Sequence, residues 1–106
     1  MNQGDVIMEW LMDDTVVEAA NVSLARMTLA QDTTSELHSH PNCSEAIHLL
    51  SGKIEQRIGD EWHVMQCGQT CLIPQKTKHQ TRNIGNSPAV MILAYSEGKR
   101  IYSLEA

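Results

Sequence analysis

Short apolar stretches recur from residue 22 to residue 95 of the chain and are separated by turn-forming residues. Strands and turns that alternate at such short spacing are typical of an antiparallel all-β sandwich or barrel. The Gly59-Asp60 pair lies between the stretches 53–58 and 61–66 and predicts a two-residue β-hairpin turn. The other turn signals are Gln31-Asp32, Pro41-Asn42, Ser51-Gly52, Gly68-Gln69, Pro74-Gln75 and the segment 83–88.

The first twenty residues give a less regular pattern. Residues 6–12 suit a strand, and residues 16–20 suit either a strand or a single turn of helix. We find no internal repeat, linker or low-complexity stretch, and a chain of 106 residues has the size of one domain. We therefore expect a single domain over residues 1–106.

The hydrophobic core must be built without phenylalanine. Only Trp10, Trp62, Tyr95 and Tyr102 are aromatic, and six methionines contribute to the apolar residues. Methionine is a flexible gap-filler that specifies packing poorly. An interface with a second copy would bury further apolar area and cover an open sheet edge. We therefore expect a homodimer.

Charge and hydropathy exclude several classes of partner. The net charge is −5, and no basic run or stripe is present, which argues against nucleic-acid binding. No apolar run approaches the length of a membrane span, and we see no charged-then-apolar leader. These features predict a cytoplasmic protein that binds neither nucleic acid nor membrane.

Three cysteines, Cys43, Cys67 and Cys71, form no CxxC site. We expect reduced thiols within the core, as is usual for a cytoplasmic protein. Cys43 lies between two of the candidate metal ligands described next, so we expect it near the ion.

Three of the five histidines and one glutamate form the most informative pattern in the chain. His38 and His40 are two residues apart, so in a strand their imidazoles share one face, about 6.6 Å apart along the chain. Glu45 follows after the Pro41-Asn42 turn, which resets the strand phase and can aim the carboxylate at the same point. His79 comes from a distant segment after the loop 74–78. Imidazole and carboxylate groups that converge in this way can ligate one metal ion.

The spacing of these residues resembles that of the cupin superfamily. The segment from His38 through Glu45 to Gly52 resembles the first cupin motif, about residues 32–52, and the segment from Gly68 through Pro74 to His79 resembles the second, about residues 68–83. Asp32 and Lys76 stand where the family pattern expects glycine; the change at Lys76 affects a turn where that glycine relaxes a positive φ. The resemblance implies a jelly-roll barrel of the small bacterial type, with one metal ion held by His38, His40, Glu45 and His79.

Such a site favours an anionic ligand. Three neutral imidazoles and one carboxylate around a divalent ion leave one net positive charge, and about two coordination positions stay open on an ion that prefers six ligands. Open positions indicate catalysis rather than a closed structural site. The ligand set does not choose the metal, which the resemblance leaves among Fe, Mn, Ni, Co, Cu and Zn.

The reaction class stays open at this stage. Thiol dioxygenases of the superfamily hold iron with three histidines and no glutamate, so Glu45 makes the chain more similar to the members with three histidines and one glutamate. Those members include dioxygenases, isomerases, decarboxylases and lyases. We therefore expect a metal-dependent enzyme, either a dioxygenase or an isomerase or lyase, that acts on a small anionic molecule or sugar acid. The alternative is a non-catalytic binding or sensor module for a small molecule.

Catalytic residues cannot be assigned from the sequence, but several polar side chains are candidates for the pocket. Gln56 and Arg57 cannot both face inward in one strand, and Arg57 is the better partner for an anion because its guanidinium can grip a carboxylate with two hydrogen bonds. His48 is three residues after Glu45 and should face away from the ion. The remaining expectations are a pocket position for Tyr95 or Arg82, an exposed His63 and a loop-holding role for Asn83.

Overall fold

The computed structural model describes residues 5–105, so the ends of the predicted domain, Met1–Gly4 and Ala106, lie outside the described residues. Within this range the chain forms ten strands and confirms the all-β prediction. They are β1 (Val6–Met12), β2 (Ser23–Leu29), β3 (His38–Ser39), β4 (Glu45–Ser51), β5 (Ile54–Ile58), β6 (Glu61–Met65), β7 (Thr70–Ile73), β8 (His79–Asn83), β9 (Ala89–Tyr95) and β10 (Ser103–Leu104).

The strands form two five-stranded sheets. The first sheet has the order β1-β2-β9-β4-β7 and the second the order β10-β3-β8-β5-β6. The paired strands are antiparallel, and most neighbours are distant in sequence, so each sheet draws on both halves of the chain. Both predicted motifs contribute strands to this one pair of sheets, which agrees with a single domain. The extent of that domain over residues 1–106 stays a prediction.

Alternation along the strands divides the interior into an apolar and a polar part. Strand β9 alternates buried and half-buried residues over its whole length, and β2 and β4 do so over most of theirs. The buried apolar side chains come mainly from the first sheet and include Leu29, Ile47, Leu49, Met91 and Leu93. Inward positions at strand ends carry polar groups instead. Glu45 pairs with Tyr95 in the first sheet, and His38 pairs with His79 in the second.

The turns explain how the sequence closes this fold. The Gly59-Asp60 hairpin is confirmed, since Ile58 pairs with Glu61 across it. Gly52 has φ +94°, and a Cβ there would lie 2.9 Å from the Cα of Ala89, so only glycine fits without movement. Asp32 and Lys76, which replace the two expected glycines, both have positive φ values of 62° and 66°. The turn geometry is therefore kept at both positions despite the side chain.

Some of the other sequence predictions are confirmed and others are wrong. Residues 6–12 form a strand, whereas residues 16–20 form turns rather than a strand. Among the cysteines, Cys43 is buried, Cys71 is half-buried and Cys67 is exposed, so the prediction of a core thiol is wrong for Cys67. Its Sγ reaches the carbonyl oxygen of Leu50 at the edge of a turn. No helix within residues 5–105 is long and apolar enough to cross a membrane.

Candidate metal centre

The structure brings the four predicted ligands together. One nitrogen from each of His38, His40 and His79 and one carboxylate oxygen of Glu45 all lie within 4.8 Å of one another. His38 and His79 start β3 and β8, which pair at these two residues. Glu45 starts β4 in the opposite sheet, after the turn that the sequence places at Pro41-Asn42. The group therefore lies between the two sheets.

Backbone carbonyls fix the orientation of all three imidazoles. Each Nδ1 lies within hydrogen-bond distance of a carbonyl oxygen, which can only accept, so each Nδ1 carries the proton. The Nε2 atoms are then left with their lone pairs directed at the common centre, as metal-bound histidines require. The contacts are His38 to Glu36 at 2.7 Å, His40 to Ile101 at 2.9 Å and His79 to Thr77 at 2.8 Å.

The carboxylate of Glu45 completes a cluster of acceptors. Its Oε1 lies 3.0 Å from Nε2 of His79 and 3.2 Å from Nε2 of His40, and both histidines and the glutamate are buried. Nε2 of His40 has no hydrogen-bond partner among the described residues. Nitrogen and oxygen acceptors this close to one another need either a proton or a metal ion between them. Two ligand atoms at right angles around an ion at about 2.1 Å would be separated by about 3.0 Å, so the donor set fits a first-row metal ion.

Protonation favours the metal-binding form of the cluster. Burial and the neighbouring His79 lower the pKa of His38 to about 4, so its imidazole is neutral at neutral pH. Burial would raise the pKa of Glu45, but hydrogen bonds from His40 and His79, which need a proton on Nε2, lower it to about 2. A bound cation would take the place of those protons and favour the same ionised carboxylate. A neutral imidazole and an ionised carboxylate are the ligand forms that a metal binds.

A C-terminal segment, residues 99–105, closes one side of this cluster. Asn42 donates to the carbonyl of Lys99 at 2.9 Å and accepts from the N–H of Ile101 at 2.8 Å. This places the carbonyl of Ile101 at Nδ1 of His40. The ring of Tyr102 stacks on the imidazole of His38 with centroids 4.5 Å apart and planes at 14°. Asn42 thus positions the ligands through the segment that it holds.

A cavity of about 420 Å³ opens onto the cluster. This volume lies within the range of pockets that hold small molecules. His38, Glu45 and His79 line it, while His40 lies behind them. The other lining residues are Val6, Met8, Met27, Ser35, Glu36, Ile47, Thr81, Leu93, Tyr95, Arg100 and Tyr102.

Only some of the candidate pocket residues line the cavity. Tyr95 lines the cavity as expected, and burial together with Glu45 raises the pKa of its phenol well above the usual value. Arg57 does not line it, so the structure gives no support to Arg57 as the candidate partner for an anion. The guanidinium of Arg57 instead donates to the carbonyl of Gly59 at 2.8 Å and to Oε1 of Gln80 at 3.1 Å. Gln56 is the inward residue of β5, but it bonds Thr81 rather than facing the cavity.

The other three candidates lie outside the cavity. Arg82 is exposed, pairs with Glu55 at 3.2 Å and does not reach the cavity. His48 faces away from the cluster as predicted, and its Nδ1 lies 2.7 Å from Oγ1 of Thr70. His63 is exposed, as predicted.

Asn83 also confirms its predicted structural role. Its amide donates to the carbonyls of Leu29 at 3.0 Å and Ser87 at 2.9 Å, and its oxygen accepts from the N–H of Gly85 at 2.9 Å. One side chain therefore joins the end of β2 to the loop before β9. It holds the fold and does not touch the cluster.

Sequence reasoning missed the cationic residue of the cavity, Arg100. Its guanidinium carbon lies 5.1 Å from the ring centroid of Trp10, 5.3 Å from that of Tyr95 and 5.0 Å from that of Tyr102. These are three of the four aromatic residues of the chain, so their gathering around one arginine was the available signal. Their separation in sequence gives no regular spacing that could have revealed it.

The comparisons with known sequences agree with the geometry. Residues 25–95 match the family described as Cupin domain. The uncharacterized protein MJ1618 of Methanocaldococcus jannaschii is 31% identical over 85 residues, which are 80% of this chain and 67% of that protein. Germin-like protein 3-8 of Oryza sativa subsp. japonica is 31% identical over 80 residues, 71% of this chain and 36% of the plant protein.

Solved structures show the same fold. Oxalate oxidase superposes with a TM-score of 0.86 at 20% identity over 97% of this chain and 56% of that one. Oxalate decarboxylase of Lactobacillus farciminis, solved as a formate complex, gives 0.88 at 19% identity over 98% of this chain and 32% of that one. The chain thus spans about half or less of these enzymes. At such low identity the likeness concerns the fold, and it confirms the predicted jelly roll.

Proposed function

The chain belongs to the cupin family, and we propose that it is a metal-dependent enzyme acting on a small anionic organic molecule. His38, His40, Glu45 and His79 would hold one divalent transition metal ion, from among Fe, Mn, Ni, Co, Cu and Zn. The reaction would be that of a dioxygenase or of an isomerase or lyase. The solved oxalate oxidase and oxalate decarboxylase act on small anions in keeping with this substrate class.

The observation that carries the proposal is the cluster of metal-ligand atoms beside a cavity, in which Nε2 of His40 has no hydrogen-bond partner among the described residues. Three imidazoles held by carbonyls turn their Nε2 lone pairs toward a buried carboxylate. Such an arrangement is costly without a cation and is what a metal requires. Because the cavity reaches three of these four residues, a small molecule can approach the same point.

The metal ligands, Arg100 and the other side chains of the cavity have different roles in the proposed site. A metal bound there supplies Lewis acidity toward a substrate oxygen or a binding position for O₂. Arg100 supplies a fixed positive charge that binds and orients an anion. The apolar side chains of the first sheet exclude water from the cavity. Burial raises the pKa of the phenols of Tyr95 and Tyr102, so neither acts as a base at neutral pH, and Tyr102 already donates its O–H to Glu36.

A non-catalytic binding or sensor module is the second candidate. It is favoured by the shortage of a base in the cavity. Apart from the ligand group, Glu36 is the one lining carboxylate among the described residues, and it already accepts the O–H of Tyr102 at 3.0 Å. A cavity with no free proton acceptor can bind a molecule without transforming it.

Metal content of the untagged protein, measured by elemental mass spectrometry, tests the proposal. We expect about one equivalent per chain, lost in His38→Ala and Glu45→Gln and kept in the matched control His63→Ala, whose side chain is exposed. Equal metal content in the ligand variants and the control would refute the site. Oxygen uptake with a panel of carboxylic acids then separates the classes, since a dioxygenase consumes O₂, an isomerase or lyase turns over anaerobically, and a binding module does neither. Cytoplasmic location, the homodimer and the lack of nucleic-acid or membrane partners stay predictions.

A further inference from the structure

The two walls of the cavity differ in chemistry. Val6, Met8, Met27, Ile47 and Leu93 all project from the first sheet and give the cavity a continuous apolar wall. The second sheet contributes His38, His79 and Thr81 to the opposite, polar wall. A ligand whose surface is polar all round would leave the apolar wall without a partner. A ligand with an apolar body would bury area on it, which is the main source of affinity in small-molecule pockets.

Arg100 provides the charged end of the cavity. No carboxylate within residues 5–105 forms an ion pair with it, and its one hydrogen bond there runs from NH1 to the phenol oxygen of Tyr95 at a long 3.4 Å. The rings of Trp10, Tyr95 and Tyr102 surround the guanidinium and hold it in place. A half-buried, held guanidinium with free N–H groups is suited to a carboxylate, which it can bind through two parallel hydrogen bonds.

Glu36 limits the number of anionic groups that the cavity accepts. Its side chain lines the cavity, with the hydroxyl of Tyr102 bonded to Oε1. A ligand with a second carboxylate would meet this negative charge in a partly desolvated space, where repulsion is stronger than in water. With Glu45 in the ligand group, the cavity keeps one free cation, Arg100, and one further carboxylate, Glu36, and this balance favours a ligand with a single carboxylate.

We propose that the cavity selects a monocarboxylate with an apolar body of several carbon atoms, its carboxylate on Arg100 and its body against the wall formed by β1, β2, β4 and β9. This substrate class rests on the proposed function, because the remaining polar end at His38, Glu45 and His79 would face the part of the molecule that reacts. It differs from oxalate and glycolate, which the solved oxalate oxidase accommodates and which have no apolar body.

Calorimetric titration with straight-chain carboxylates tests the proposal. Acetate, butyrate and hexanoate, with oxalate and hexanamide as comparisons, are added to the full chain after treatment with EDTA and after reloading with Zn²⁺. Each methylene that the apolar wall buries should tighten binding about fourfold. Hexanoate should then bind at least fiftyfold more tightly than acetate, and hexanamide and oxalate should bind more weakly than hexanoate.

Two variants separate the charged end from the apolar wall. Arg100→Gln should weaken every carboxylate about tenfold or more and weaken the neutral hexanamide far less, with Arg100→Lys intermediate because lysine keeps the charge but loses the paired donors. Val6→Thr, of equal shape, should reduce the gain per methylene and leave acetate unchanged. Wild-type binding that does not grow with chain length overturns the proposal without any variant, as does tight binding of hexanoate that is insensitive to Arg100→Gln.

Metal content measured on the same samples keeps this test apart from that of the proposed function. Chain-length-dependent, Arg100-dependent binding by a protein that holds no metal would support the carboxylate site and refute the metal enzyme. A protein that holds one equivalent of Zn²⁺ but binds hexanoate no better than acetate would refute the carboxylate site and leave the metal site intact.

Discussion

The stability of the metal-free protein should depend on the protonation of His38. Burial and His79 lower the pKa of its imidazole from 6.5 to about 4. Below pH 6.5 the imidazole of His38 becomes protonated in the unfolded chain, whereas in the folded chain it stays neutral down to about pH 4. Because the unfolded state then binds more protons, the free energy of unfolding falls as pH falls through this window.

The size of the effect follows from the width of the window. One pKa unit corresponds to about 1.4 kcal/mol, so the shift of His38 from 6.5 to about 4 corresponds to at most about 3.5 kcal/mol. Between pH 7.5 and pH 4.5 the loss is about 2.5 kcal/mol. Glu45 adds little in this interval, because its lowered pKa of about 2 keeps the carboxylate ionised when folded, and most of its contribution is lost only as pH falls below about 4.5.

Urea unfolding of EDTA-treated protein at several pH values between 7.5 and 4.5 measures the loss. His38→Gln, which cannot titrate, should lose about 2.5 kcal/mol less than wild type over the same interval, whereas His63→Gln should lose as much as wild type. A wild-type loss equal to that of His38→Gln would show that the buried imidazole takes up its proton as readily when folded as when unfolded. The reasoning about desolvation at this position would then be wrong.

Three further substitutions test the backbone and the C-terminal segment. Gly52→Ala should lower the free energy of unfolding by about 2 kcal/mol or more in urea titrations, because it adds a contact with the backbone of Ala89 to the strain of a positive φ; Gly59→Ala, whose Cβ would meet nothing within 4 Å, should lose clearly less, and equal losses would contradict the clash. Lys76→Gly should raise stability by about 0.5–1 kcal/mol, since relief of the positive φ exceeds the entropy that glycine adds to the unfolded chain, and a loss of stability would oppose this. Asn42→Ala should weaken metal binding about tenfold in competition titrations, through the carbonyl that holds His40, while the exposed Asn86→Ala should not; equal affinities would remove the positioning role.

The elements that could be predicted are those whose cause is local. Alternating apolar residues and turn signals predicted the strands and the Gly59-Asp60 hairpin, because pleat and turn geometry act over a few residues. The ligand set is a different case, because His38 and His79 meet only through the pairing of β3 with β8, which lie far apart in the sequence. Motif resemblance supplied that pairing.

The sequence analysis failed at two arginine residues, one in β5 and one in the C-terminal segment, for different reasons. Ile54 and Ile58 share a face of β5 with Gln56, so their phase already placed Gln56 inside and Arg57 outside. Arg57 stayed a candidate because its guanidinium suits an anion, although this phase argued against it. Arg100 lies in a segment without periodicity, and its role depends on aromatic rings brought together only by the tertiary fold.

The metal-ligand residues and the apolar core residues occupy the same space between the two sheets. Metal binding and folding are therefore linked. Four polar ligand residues occupy inward positions that could otherwise hold apolar side chains, in a chain that has no phenylalanine to compensate. In the metal-free state the interior therefore contains the buried carboxylate of Glu45, bonded to His79, and the buried Nε2 of His40, which has no hydrogen-bond partner among the described residues. A bound ion would satisfy both, so its binding free energy adds directly to that of folding. The four ligand residues thus lower the stability of the metal-free protein, and a bound metal would raise its stability through the same residues.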